Sequence, residues 1–303
     1  VNRLQSGLII LGLFAVAAWT GYAVIGPDAI SWAVLLAGLL LLGGATSGDK
    51  MIRGVYGAVP LDQTNAPELS YLVEQLARGA ELPVIPRLYL LPSPVLQAMA
   101  VGDQKDPAIA LTSGLVRTLP TNELVGVLAH EIAHVRHGDT FVMRLAVTVG
   151  SITQAMSSAG LFMLFAALPM LWTTGALISP MAIGLLILSP VLSDLLELSL
   201  SRRREFLADA GAVELMGDPR PLAQALARIQ TLQGDDWERM RSRGIRWLSL
   251  FRTHPTTWER VKRLQDLAPS AEPELTYNGL SPQLQQVLRS ADPRRRRIMR
   301  RLL

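Results

Sequence analysis

The sequence contains no cysteine. Disulfides, thiolate metal ligands and cysteine nucleophiles are therefore excluded. Charge is scarce as well: 18% of residues are Asp, Glu, Lys or Arg, against about 25% in an average soluble protein. Histidine occurs only four times. The net charge of +4 is too small to mark a nucleic-acid binder, and no nucleic-acid partner is expected. What the chain has is apolar residues, which make up 50% of its 303 positions. That balance excludes disorder and an ordinary cytosolic enzyme. It predicts a membrane protein with a soluble part, in one or two domains.

The apolar residues are clustered. Residues 7–26 and 29–48 carry no charge, and each run has about the twenty residues that span a bilayer. Only Pro27 and Asp28 separate them, which predicts a helical hairpin. A cleaved signal peptide would be followed by a soluble start, whereas here a second apolar run follows at once. Residues 145–193 are again uncharged, roughly twice the length of one span, with Pro169, Trp172 and Pro180 near the middle. Two further helices are expected, near 145–168 and 177–196. A buried hairpin in a soluble core rarely runs so long without charge. Thr148, Ser151, Thr153, Ser157, Ser158 and Gly160 suit helix contacts within lipid. The turns at 26–30 and 170–180 lack Lys and Arg, while Arg3, Lys50, Arg53, Arg144 and Arg202, Arg203 and Arg204 flank the other ends. The positive-inside rule then puts the soluble mass in the cytoplasm.

Residues 49–144 and the stretch from 201 onward are soluble in character. Asn65 is expected to cap a helix running to Ala77, with Pro67 and Glu68 in its first turn. Segments 87–91, 95–101 and 108–112 look like strands, the last two joined by turn-like residues as a hairpin. Thr121 is expected to cap a helix through about His137, with Glu123 near its positive end. Residues 234–246 are charged and read as a surface helix or loop.

Three of the four histidines, His130, His134 and His137, fall within eight residues. Ala129-His130-Glu131-Ile132-Ala133-His134 fits the pattern HExxH on a predicted helix. Residues i and i+4 share a helix face, so both imidazoles can point at one zinc ion. Glu131, beside the first ligand, can act as general base on a water. Leu124, Val127, Leu128 and Val135 already supply a buried face. A catalytic zinc needs a third protein ligand and an open position. Thr140 stands where a metzincin carries its third histidine, which excludes that subclass. His137 can face the metal only as a third ligand from one helix, a difficult geometry. Glu205 and Asp209 are the better source, again i and i+4 on a predicted helix. Glu205 can ligate zinc while Asp209 accepts a hydrogen bond from a ligand histidine and fixes its tautomer.

HEIAHVRHGD, a membrane hairpin, SRRREFLADAGAVEL and a Thr253-His254-Pro255 segment together resemble the HtpX-type membrane zinc metalloproteases, of the same peptidase family as the CAAX prenyl endoproteases. The resemblance covers nearly the whole chain. It implies one zinc per chain on His130, His134 and Glu205, with Glu131 activating water, in a membrane-integrated endopeptidase of the bacterial inner membrane open to the cytoplasm. It implies that His254 polarises the scissile carbonyl or stabilises the oxyanion. It also implies that Gln97, Ala98, Met99 and Ala100 form an edge strand that pairs with substrate backbone. The family often has Asn-Ala-Phe-Ala there, so Gln97 and Met99 depart from it. Main-chain pairing tolerates such changes, and side-chain selectivity is what they alter.

The expected fold is mostly α with a small β-sheet: a multi-pass helical membrane protein with a gluzincin-type zinc protease domain split by a transmembrane hairpin. Its parts are an N-terminal hairpin (1–48), a first protease segment (49–144), a second hairpin (145–200), a second protease segment (201–280) and a basic tail (281–303). The tail, with Arg294–Arg297, Arg300 and Arg301, would meet anionic lipid headgroups. Arg202–Arg204 would anchor the last span in the same way, though one of these arginines can help to orient the site. Expected substrates are membrane or misfolded proteins. The alternatives are a protease dedicated to one membrane or lipidated substrate, and a zinc-binding scaffold without turnover.

Overall fold

The computed structural model describes residues 2–26, 28, 57–174, 180–233 and 257–266. The second expected span, the 234–246 segment, His254 and the basic tail lie outside the described residues. In chain order the elements are α1 (Asn2–Ile25), β1 (Val59–Leu61), α2 (Pro67–Gly79), β2 (Arg87–Leu91), β3 (Ala98–Val101) and β4 (Ala108–Thr112). They continue with α3 (Ser113–Thr118), α4 (Thr121–His137), α5 (Asp139–Thr174), α6 (Pro180–Met216), α7 (Arg220–Gln233) and α8 (Thr257–Asp266). The protein is mostly helical with one small mixed sheet. It divides into two compact units, residues 1–45 with 142–203 and residues 46–141 with 204–303.

Among the described residues, three helices are long and apolar enough to cross a bilayer: α1, α5 and α6. In the first unit the packing reverses that of a soluble protein. Leu8, Leu11, Trp19, Phe162, Phe165 and Leu188 are exposed, whereas Ser6, Thr20, Thr153, Ser157, Ser189 and Ser193 are buried. Small polar residues let helices approach closely, and large apolar ones suit hydrocarbon. Ser157 Oγ donates to the Leu186 carbonyl, and Leu13, Ala17, Ala146, Val149 and Leu200 form an apolar cluster. Pro169 does not end α5, which runs on to Thr174. Neighbouring helices and polar side chains let a membrane helix carry an internal proline.

In the second unit the sheet order is β1-β2-β4-β3. β2 and β4 are parallel, and β1 and β3 pair antiparallel on the outside. Leu88, Leu90, Ile109 and Leu111 face Leu69 and Val73 of α2 and Leu124, Leu128 and Ile132 of α4. Tyr89, Leu91, Ala108 and Ala110 form a second cluster, with Met99 and Val101 packed against it. α4 is central and mostly buried. A Cβ at Gly126 would come 2.6 Å from the Leu222 backbone nitrogen, so only glycine allows α7 to pack this close.

Several expected local signals fall elsewhere. Asn65 does not cap α2; its side chain accepts from the Asp62 amide and donates to the Pro60 carbonyl, and Ala66 holds the cap position. Thr121 is the first helical residue of α4, after Pro120 at the cap. Glu123 is buried and paired bidentately with Arg228 at 2.7 Å. Residues 95–97 precede β3 instead of extending it, because Thr112 holds them. Its hydroxyl accepts from the Gln97 amide at 3.0 Å, donates toward the Val95 and Gln97 carbonyls, and caps α3 at the Leu115 amide. Thr112→Val keeps the shape and orphans these groups, at a cost of about 1–3 kcal/mol. Thermal unfolding in detergent should show a Tm several degrees lower for Thr112→Val, and near wild type for Thr112→Ser.

Candidate metal centre

α4 brings His130 and His134 to one face near its C-terminus. Their rings stand nearly perpendicular, 84° apart, with centroids 4.6 Å apart. The two Nε2 atoms are 3.1 Å apart. Two nitrogens bound at about 2.0–2.1 Å to one tetrahedral ion would lie about 3.3 Å apart. From α6 comes Glu205, with Oε2 at 3.5 Å from His130 Nε2 and Oε1 at 3.9 Å from His134 Nε2. One ligand atom from each of the three residues lies within 4.8 Å of the other two. Among the described residues this is the one such group. His137 does not join it; a Cβ at Gly211 would lie 3.1 Å from its ring. Burial holds the His137 imidazole below its ordinary pKa.

Each histidine has its own carboxylate at Nδ1. His130 faces Asp209 at 3.1 Å, as the spacing of Glu205 and Asp209 predicts. His134 faces Asp139 at 2.8 Å. A carboxylate at Nδ1 keeps that nitrogen protonated and leaves the Nε2 lone pair for a metal. Asp139 is a partner that sequence reasoning missed. Its position follows from Gly138, which ends α4 in the left-handed region at φ 67° and lets α5 begin at once. A glycine just after the histidine helix, followed by an acid, is the signal that could have found it.

The carboxylates in turn meet arginines. Arg204 Nη1 donates to Asp139 at 2.6 Å. It is therefore not a headgroup anchor but matches the alternative held open for one of the three arginines, since its side chain is mostly buried in this pair. Arg260 of α8 donates to both oxygens of Asp209, at 2.9 and 2.6 Å, and to Glu205 Oε2 at 2.8 Å. No short-range spacing points to Arg260, which lies 51 residues beyond Asp209. Glu131 is buried on α4 and close enough to raise the basicity of Arg260. Among the described residues, two guanidiniums, Arg204 and Arg260, face the four carboxylates Glu131, Asp139, Glu205 and Asp209. An excess of carboxylates suits a divalent cation, and the donor set of two imidazoles and one carboxylate fits zinc.

The strand residues fall on two sides. β3 is an edge strand whose partner among the described residues is β4, and α4 packs against it. Ala98 and Ala100 adjoin the cluster that contains α4, whereas Met99 turns to the opposite face of the sheet. The Gln97 backbone is already paired with Thr112.

Burial and Arg260 both oppose a charged His130, but the hydrogen bonds to Asp209 and Glu205 outweigh them and push its pKa up to about 9. A metal at Nε2 competes with that proton, so zinc affinity should rise about tenfold per pH unit up to about pH 9. Competition with a chelator at pH 6, 7 and 8 measures this, and a flat profile would count against it.

Comparison with known proteins agrees with this chemistry. Peptidase family M48 matches residues 63–268. The Protease HtpX homolog of Acaryochloris marina is 33% identical over 305 residues, covering 92% of this chain and 100% of that protein. The Protease HtpX homolog of Methylibium petroleiphilum is 31% identical over 286 residues, covering 88% and 98%. The crystal structure of S. mikatae Ste24p shares the fold with a TM-score of 0.50 at 20% identity. That likeness covers 86% of this chain and 62% of Ste24p, so this chain spans less than two thirds of it.

Proposed function

Since this chain belongs to peptidase family M48, we propose that it is a zinc-dependent endopeptidase of the membrane, cleaving membrane or misfolded proteins. The observation that carries this is the convergence of His130, His134 and Glu205, with each imidazole oriented by its own aspartate. His130, His134 and Glu205 hold one zinc per chain, and Asp209 orients His130. Bound there, zinc polarises the scissile carbonyl and lowers the pKa of the attacking water. Glu131 accepts the water's proton and delivers it to the leaving amine. His254 supports the developing oxyanion. Substrate lies extended along β3, with outward backbone groups of residues 98–100 as its partners, those of Gln97 being held by Thr112.

The protease domain is built from residues 49–144 and 201–280, interrupted by the membrane hairpin 145–200. The N-terminal hairpin 1–48 adds the other spans. By the distribution of basic residues the domain faces the cytoplasm from the bacterial inner membrane, and the tail 281–303 meets anionic headgroups. The relatives are named as proteases, and the role proposed for this one is protein quality control.

The test pairs wild type with Glu131→Gln, both purified in detergent. About one zinc per chain is expected in each. Cleavage of an unfolded test protein should fall by about 10²–10⁴ in the variant. Cleavage by Glu131→Gln at the wild-type rate would overturn the role of Glu131. Folded wild type without zinc would overturn the ligand set. Zinc in both with no cleavage by wild type would point to a dedicated substrate or a scaffold.

A further inference from the structure

Arg260 is the group that joins the two carboxylates of α6 at the candidate metal centre. Glu205 and Asp209 stand one helical turn apart, where like charges repel, and both are largely removed from water. The guanidinium of Arg260 faces both. Its Nε and Nη2 form a fork on Asp209, and its Nη1 takes Glu205 Oε2 at 2.8 Å. Asp209 in turn lies 3.1 Å from His130 Nδ1. One cation therefore acts on two of the three ligands, directly on Glu205 and through Asp209 on His130. The other arm is narrower, because Arg204 and Asp139 serve His134.

Docking of α8 has contacts besides this charge. Val261 and Leu264 bury an apolar face, and Arg263 lies over the Phe206 ring at 3.8 Å. A buried guanidinium beside that face costs desolvation, so packing alone does not explain it. Its planar fork also has a chemical reason. An ammonium is a point charge and cannot bridge two carboxylates with the same fixed geometry.

We propose that Arg260 is a positioning residue of the metal centre, holding Glu205 in its ligating orientation and keeping Asp209 aimed at His130. This rests on the metal site proposed above. The full chain in detergent is compared as wild type, Arg260→Gln, Arg260→Lys and Arg263→Gln, the last a control for docking of α8. Cobalt(II) affinity is measured by chelator competition, the visible spectrum of the cobalt-loaded protein is recorded, and Tm is taken after metal stripping. Arg260→Gln should weaken cobalt binding about 10–100-fold and change the spectrum, in protein that still unfolds cooperatively after stripping but at a lower Tm, because two buried carboxylates lose their cation. Arg260→Lys should recover part of the affinity, and Arg263→Gln should match wild type. An unchanged affinity and spectrum in Arg260→Gln would overturn the proposal, even if activity were lost. So would an equal loss in Arg263→Gln, or loss of cooperative unfolding after stripping with no recovery by lysine. Wild type that binds no cobalt overturns the metal site itself, and is told apart because every variant then fails alike.

Discussion

A protein interior tolerates a carboxylate only when something answers its charge, and four of them surround His130 and His134. That constraint organises the second unit. Asp139 can reach His134 only because Gly138 ends one helix and α5 starts without a linker. Asp209 and Glu205 reach the other side from a single turn of α6. Two arginines from distant positions face these carboxylates. The core under α4 serves the same end. Gly126, Leu124, Leu128 and Ile132 are packed tightly enough to fix the ring positions that the ligand set needs.

The parts of this site that were legible in the sequence are those set by helical periodicity. His130 and His134 share a face because they are four residues apart, and the same rule pairs Glu205 with Asp209. Asp139 and Arg260 were not legible, for different reasons. Asp139 acts across a chain reversal, where periodicity stops, and its place depends on the positive φ of Gly138. Arg260 depends on tertiary docking of α8, which no local spacing encodes. Arg202–Arg204 were read as membrane anchors, with the alternative that one of them helps to orient the site, and Arg204 is the one that meets a site carboxylate. Its partner Asp139 is what makes it different from Arg202 and Arg203.

The fold shows the same division. Long uncharged runs announced α1, α5 and α6, because length and hydropathy are properties of the chain itself. Their ends were less clear: Pro169 looks like a boundary, yet α5 continues past it to Thr174. In the sheet, β2 and β4 were readable as apolar runs. β1 has three residues, one of them Pro60, and exists only through its pairing with β2. Asn65 and Thr121 have the side chains that cap helices, but hydrogen bonds of Asn65 within its own turn and the proline before Thr121 shift the caps by one residue.

β3 is bonded to β4 along one side and runs beside the helix that carries the histidines. If substrate pairs along its other side, as proposed, it must arrive extended, with its own amides and carbonyls unengaged. A segment inside an intact helix or sheet cannot meet that condition, because its backbone groups already have partners. Such an edge discriminates by conformational state before it discriminates by side chain. It would pass over a sound protein and take the same protein once a stretch of it had come loose.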